Sequence, residues 1–537
     1  MSLRTENIDK LAKNSFDVLV LGGGINGAVA AAALAAKGVK VALIDKSDFA
    51  SCSSSNSSNL AWGGIKYLES GELLLVNKLC RSRNHLMRHY PSSVKEIRFF
   101  TTIRKGFRMP AFMVYLGAVF YWLIGAFFTR PPRYLSPASI RREEPVVAMD
   151  GVIGGLEYSD CYLPDNDARF VFRFIRSAME SGCIAANYVE ALGSTFADGR
   201  WRTQARDVVN GEPLTIHSKV IINACGPYVD FYNRCINQQT GHHHLFSKGI
   251  HLIVERITPD ERVLTFFASD GRLFFVIPMG PKTCIGTTDT PVKSPAVSVT
   301  EEDRQFVLDN ANTLLDLPTP LTTKDIVAER CGVRPLAVST TGKDESADWL
   351  KLSRRHAIDT DREKNFISIF GGKLTDCINV GEEIVDLVKA LGVDVPDEAR
   401  IWYGEPSPTS KADFLAKAKA MGVDGRIETL SGEPLSERIW RRYGSYAYEL
   451  LEQIAADPQR ALQKPIENIE YTHCELALMA RTEMITTLDD FLRRRSKVAQ
   501  VVASEQLLNH PGLKEVSEVL FADRASEKLG EYRHQRL

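Results

Sequence analysis

The stretch from Phe16 to Asp45 constrains the fold more than any other part of this chain. A short apolar run, 16–21 (FDVLVL), ends in three glycines. An alanine-rich, helix-prone stretch covers 28–36, and a second apolar run, 39–44 (VKVALI), stops at Asp45. Strand, turn, helix and strand in that order make a βαβ unit. Its turn carries Gly22-x-Gly24-x-x-Gly27. The first glycine permits the tight turn, the second lets the backbone approach a pyrophosphate, and the third lets helix and strand pack closely. The helix N-terminus draws phosphate charge. Asp45, at the end of the second strand, is placed to accept hydrogen bonds from an adenosine ribose. Alone the glycine pattern is weak; with both strands, the helix and the acid in register it marks a dinucleotide site. NAD and FAD both fit the unit.

The next segment of the chain favours FAD. Residues 51–59 read SCSSSNSSN and run into LAWGGIKYL at 60–68. The hydroxyl and amide groups of Ser53, Ser54, Ser57, Ser58 and Asn59 can hydrogen-bond the pyrophosphate and ribityl chain of an extended cofactor. A flexible serine linker is the competing reading. A second anchor, FGGKLT at 370–375, sits at another strand-to-helix switch, where a helix N-terminus stabilises negative charge on a reduced ring.

Further strands are expected at 219–224, 271–278, 283–286 and 366–370. A helix comes after the last, with Ile384, Leu387, Val388 and Leu391 on one face. GEPSPTSK at 404–411 reads as a linker, and 434–456 and 469–505 read as helical. The expected architecture is α/β. A Rossmann-like FAD-binding domain with an inserted mixed-sheet substrate subdomain occupies 1–403, and a C-terminal α-helical domain occupies 408–537.

Composition narrows the function classes. The 537 residues hold 66 Lys+Arg and 67 Asp+Glu, a net charge of −1, so no global basic field draws in nucleic acid. Ten cysteines include no CxxC pair, and the first fifteen residues are polar and charged without a secretory apolar core. Reduced thiols and a cytoplasmic location are expected. His242, His243 and His244 are adjacent and cannot readily converge on one ion, so no metal is expected. Residues 109–128 carry no charge and are flanked by Arg104, Lys105, Arg108, Arg130 and Arg133. That length could span a bilayer. A crossing would put parts of one sheet on opposite sides of the membrane, which open sheets do not allow. Monotopic contact is expected instead, with Tyr115, Tyr121 and Trp122 at the interface.

The chain resembles the membrane-associated, FAD-dependent glycerol-3-phosphate dehydrogenases of the D-amino-acid-oxidase-like superfamily. The stretches that carry the resemblance run in order along nearly the whole chain: VLGGGINGAVAA (20–31), SSNLAWGGIKYLE (57–69), LEYSDC (156–161), INACGP (222–227), KGIHLIV (248–254), FFVIP (274–278), IGTTD (285–289), GVRPL (332–336), IFGGKLT (369–375) and RRYGSYAYELL (441–451). The resemblance implies oxidation of sn-glycerol 3-phosphate to dihydroxyacetone phosphate, with FAD taking the hydride and a quinone reoxidising it. It implies a protein peripheral on the inner face of the cytoplasmic membrane, with a second copy of the chain as a candidate partner. Arg334, Lys373 and His251 are implied as catalytic, and Lys66, Tyr67, Arg272, Arg334 and Lys373 as substrate-binding. Asn26, Lys46, Leu60, Val189, Gly226, Leu374 and Thr375 join the cofactor contacts.

Departures fall in the substrate pocket. Trp62 stands where the family has histidine, and Lys66 where it has arginine; lysine keeps the charge but loses the bidentate fork. Asp376-Cys377-Ile378 replaces Thr-Tyr-Arg after GGKLT, and Arg355, within Ser353–His356, takes the place of an acid. A related oxidoreductase acting on another hydroxy or amino compound, and a non-catalytic FAD-binding protein, are the alternatives.

Overall fold

The computed structural model describes residues 2–69, 71–107, 109–340 and 355–536; Arg108, Ser353 and Arg354 lie outside the described residues. The βαβ unit forms as Ser15–Leu21, Ile25–Ala36 and Val41–Ile44. Its strands continue a parallel sheet in the order Phe366–Phe370, Pro213–Asn223, Ser15–Leu21, Val41–Ile44, Ile184–Ala186. Ala357–Asp361 adds an antiparallel edge, and a hairpin, Val189–Ala197 with Arg200–Asp207, extends Pro213–Asn223. The alanines of Ile25–Ala36 are buried against the helices Asp167–Glu180 and Cys377–Ala390. Small side chains all round let three layers approach closely, which is why this helix is buried on every face.

A second, mixed sheet is built from the two long insertions between these strands. The first supplies Lys95–Arg104 and Val152–Tyr162; the second supplies His242–Glu255, Arg262–Phe267, Leu273–Met279, Lys282–Gly286 and Ala328–Ser339. One parallel pairing, Arg262–Thr265 with Arg98–Thr101, joins them. Ile250, Leu252 and Val254 pack toward the helix Glu301–Leu314. Alternation along the strands turns Ser247, Gly249, His251, Arg330, Gly332 and Arg334 to the opposite face, toward the glycine turn.

The helical part begins at Pro408, with Ser407 as N-cap, so the expected linker is helical from 408 onward. The 434–456 stretch divides into Leu435–Tyr443 and Ala447–Ala456 around Gly444, and 469–505 breaks after Thr482. A separate apolar core runs from Phe414 to Tyr532. Buried ion pairs seam it to the sheet region. Arg495 makes two 2.9 Å bonds to the Asp48 carboxylate, with Arg494 at 2.7 Å. Arg169 and Arg176 converge on Glu483.

The apolar segment folds as a 14-residue helix, Ala111–Ile124, shorter than the twenty-residue run. Among the described residues no helix is long and apolar enough to cross a membrane. One expected interface ring is corrected: Tyr121 is buried, whereas Trp122, which donates to the Thr129 carbonyl at 2.7 Å, and Tyr115, edge-on to Tyr134, are half-buried. Phe112, Met113, Leu116, Phe120 and Leu123 face outward instead.

Candidate active site

Three strand-to-helix turns and one sheet face meet at the start of Ile25–Ala36. Gly22 has φ +96°, and a Cβ on it would lie 2.6 Å from the Ala224 carbonyl oxygen; on Gly27 it would overlap the Gly22 carbonyl. Both positions therefore require glycine. Asp45 closes the turn by accepting from the Gly23 amide (2.7 Å) and the Ser47 amide (2.9 Å). Burial pushes its carboxyl pKa up to about 6, against the pull of those two amides. The Val189 amide donates to the Asp45 carbonyl at 2.7 Å. Lys46 lies 4.1 Å over the Tyr228 ring, next to Gly226 at φ +55°.

The serine loop is ordered against this turn. Ser54 Oγ accepts the Ile25 amide at 3.0 Å, and Ser53 Oγ donates to the Val333 carbonyl of the arginine-bearing strand Ala328–Ser339. Ser57 Oγ accepts the Asn59 amide, Asn59 Oδ1 accepts the Asp167 amide, and Ser58 is half-buried between them. Leu60 enters a short strand opposite Tyr162. The second glycine turn docks on the first: Asn26 Nδ2 donates to the Gly371 carbonyl at 3.0 Å. A Cβ on Gly371 (φ +63°) would lie 3.4 Å from the Pro335 carbonyl oxygen and from the Ala337 Cβ, so the turn runs beside the strand that carries Arg334. Beyond it, Leu374 packs on the core and Thr375 Oγ1 donates to the Trp62 carbonyl at 3.3 Å.

Three cationic residues stand on the elements that meet here. Arg334 lies over Gly249, where a Cβ would sit 2.5 Å from its guanidinium, and donates to the Thr288 carbonyl (3.1 Å), Thr287 Oγ1 (3.0 Å) and Asp289 (3.3 Å). Lys373 Nζ donates to the Tyr67 hydroxyl at 2.8 Å and lies 4.1 Å over its ring. Lys66 precedes Tyr67 on the single turn Ile65–Leu68. His251 is buried, and both ring nitrogens lack a hydrogen-bond partner among the described residues. Burial, then Arg330 and Arg334, hold its pKa well below the usual value, so it is neutral. His242, His243 and His244 lie along one strand, and no metal-holding group of side chains occurs among the described residues.

Arg272 does not join this cluster. It pairs with Asp270 at 2.7 Å and lies over Phe306, on the sheet face carrying the helix Glu301–Leu314. The sequence reading also missed Arg330. That side chain is buried and binds the Ser55 carbonyl (2.8 Å) and the Asp167 carboxylate (3.0 Å), fastening the serine loop to the second sheet. Its position two residues before the GVRPL motif, in register with His251, was the available signal.

A family described as "FAD dependent oxidoreductase" matches residues 17–375, which span all of these turns. The chain belongs to that family. A second model, "C-terminal domain of alpha-glycerophosphate oxidase", matches residues 423–519. The chain is 29% identical over 509 residues to the aerobic glycerol-3-phosphate dehydrogenase of Bacillus subtilis, covering 92% of this chain and 89% of the relative. It is 29% identical over 520 residues to that of Staphylococcus haemolyticus, covering 92% and 90%. Its fold is similar to the FAD-complexed glycerol-3-phosphate dehydrogenase of Bacillus halodurans (TM-score 0.72, 24% identity, 100% and 97% of the chains). It is also similar to the L-alpha-glycerophosphate oxidase of Mycoplasma pneumoniae (TM-score 0.53, 15% identity, 73% and 97%). As a member of this family the protein is an oxidoreductase with FAD as cofactor. The site fits that group: the opening turn leaves room for backbone but none for a side chain at Gly22 and Gly27, and Asn26 Oδ1 and both His251 nitrogens are buried polar atoms without a described partner.

Proposed function

We propose that the protein oxidises sn-glycerol 3-phosphate to dihydroxyacetone phosphate and passes the electrons to a membrane quinone. The observation that carries this reading is that Arg334 and Lys373 stand on the strand and the glycine turn that meet at the opening Gly22–Gly27 turn, with neutral His251 on the same sheet face as Arg334. These residues lie in a chain that matches relatives named aerobic glycerol-3-phosphate dehydrogenase over 92% of its length. FAD, when bound, accepts the hydride from substrate C2. The Gly22–Gly27 turn would hold its pyrophosphate, Asp45 its adenosine ribose, the serine loop its central chain, and the Gly372–Thr375 turn its ring. Arg334 and Lys66 carry the substrate phosphate, Arg334 through its planar fork. Lys373, oriented by Tyr67, polarises the 2-hydroxyl. His251, neutral because charging it would cost its burial beside two arginines, has a lone pair for the hydroxyl proton.

The outward face of Ala111–Ile124 is the surface for the membrane. Phe112 and Leu116 are 64% and 56% exposed. Arg130 and Arg133 flank the helix, paired with Glu96 and with Glu143 and Glu157 respectively. On this reading the protein is peripheral on the inner face of the cytoplasmic membrane.

Anaerobic mixing tests the substrate: glycerol 3-phosphate bleaches the flavin absorbance of the purified protein. Trp62, packed 5.9 Å from the Tyr67 ring, favours a second reading in which a different acidic or phosphorylated alcohol is taken. Bleaching by such a compound and not by glycerol 3-phosphate would select it, and bleaching by no substrate would indicate a non-catalytic flavoprotein.

A further inference from the structure

The two faces of the helix Ala111–Ile124 make different contacts. Its outer face is apolar and exposed, while on its inner face Tyr121 reaches a buried ionic cluster. The Tyr121 hydroxyl lies 2.9 and 3.0 Å from the two carboxylate oxygens of Asp160. Arg83 donates to the same carboxylate at 2.7 Å and to the Tyr121 hydroxyl at 3.2 Å. Tyr121, Arg83 and Asp160 are 2%, 1% and 0% exposed, so water cannot replace a lost partner. Arg83 also holds Asn84 Oδ1 at 2.9 Å, and Asn84 Nδ2 donates to the carbonyl of Gly125, the C-cap of the same helix, at 2.8 Å.

The cluster has one more donor. The Gly63 amide binds Asp160 at 3.1 Å, and a Cβ on Gly63 would overlap the Tyr121 hydroxyl. Gly63 stands between Trp62, whose carbonyl receives Thr375, and the turn bearing Lys66 and Tyr67, whose hydroxyl receives Lys373. A short run of hydrogen bonds and backbone thus leads from the inner face of the apolar helix to the lysine of the site.

We propose that Asp160 and Tyr121 are positioning residues for the loop 62–67, through which the seat of the apolar helix sets where Lys66 and Tyr67 stand relative to Lys373. The inference rests on the proposed substrate only for its kinetic readout. Neither residue touches substrate; each acts through Gly63.

Two single substitutions and their combination test it. Tyr121→Phe removes the hydroxyl and keeps the ring that packs edge-on to Tyr158. Gly63→Ala forces a methyl group against that hydroxyl. Each is expected to raise KM for glycerol 3-phosphate about fivefold or more while flavin reduction at saturation changes by less than about threefold. In the double variant the overlap with the hydroxyl is gone and only contacts of 3.1 Å to the ring carbon and to Asp160 Oδ1 remain, so KM falls below the product of the two effects. Amide hydrogen exchange in 62–69 shows the same order without substrate: faster in each single variant, slower again in the double. Single variants within about twofold of wild type in KM, or effects that simply multiply, would overturn the proposal. If Gly63→Ala alone loses its flavin, recovery in the double variant is the same coupling, and no recovery overturns it. Because exchange needs no substrate, failure of glycerol 3-phosphate to bleach the wild-type flavin would count against the substrate and leave this test standing.

Discussion

Asp45→Asn tests the cofactor cradle most directly. The Asp45 carboxylate accepts two backbone amides, at 2.7 and 2.9 Å, and burial has raised its pKa to about 6. An asparagine must turn its NH2 toward one of those N–H donors, and it offers no charge to a ribose hydroxyl. Losing one hydrogen bond to a charged acceptor costs about 1.5–3 kcal/mol, which weakens FAD binding by about 10- to 150-fold. Fluorescence titration of the deflavinated protein with FAD measures this. The pH dependence supplies a second arm. Hydroxyl donors favour the ionised carboxylate, so bound FAD lowers the Asp45 pKa below its value in the free protein. Affinity is then full above about pH 6 and is lost as pH falls through that value, by up to about tenfold per unit. The asparagine variant is flat over the same range. An unchanged dissociation constant in Asp45→Asn, or a wild-type affinity that rises on acidification, refutes the assignment of Asp45 to the ribose.

Three further outcomes are expected. Asp48→Asn strips the buried Arg494 and Arg495 of their shared carboxylate and lowers stability by about 3–5 kcal/mol; thermal unfolding checks this, and an unshifted Tm would show that the seam contributes little. His356 lies between Asp376 (3.3 Å) and Glu383 (2.8 Å), and although burial opposes the charge, these carboxylates raise its pKa to about 9. Its contribution is complete below the unfolded histidine pKa and disappears as pH rises through about 9, so wild type should lose more Tm between neutral and alkaline pH than His356→Gln does. Replacing outward-facing Leu116 and Phe120 together by Glu should abolish flotation with anionic liposomes and leave flavin content intact, whereas retained flotation would remove this face from the membrane contact.

The opening unit was legible because its information is local: the glycine spacing, the two apolar runs and Asp45 lie within one supersecondary element. The strand at 366–370 was read to the residue for the same reason, its five positions being succeeded at once by two glycines. The second sheet was less legible. Its strands find partners far away in the chain, as when Arg98 pairs beside Arg262, and no window of sequence contains that register. Tyr121 was misread because, inside an uncharged run, nothing local distinguishes the residue that meets a buried carboxylate from those that face out. Arg272 was misplaced by adjacency: it neighbours FFVIP in sequence, but it lies in the turn that joins two strands, paired with Asp270 and over Phe306. Arg494 and Arg495 lie in a stretch read only as helical, and only the docked structure shows Asp48 beneath them.

The contact between Asn26 and the Gly371 carbonyl spans 345 positions of chain. On the ribosome, the glycine motif emerges early and then waits while both insertions and the last parallel strand are made. A nascent chain stopped before residue 366 presents the motif without the second glycine turn and with one rim of the Pro213–Asn223 strand unpaired. Flavin capture is therefore a late event in biosynthesis, and truncated translation products should be colourless and prone to clump.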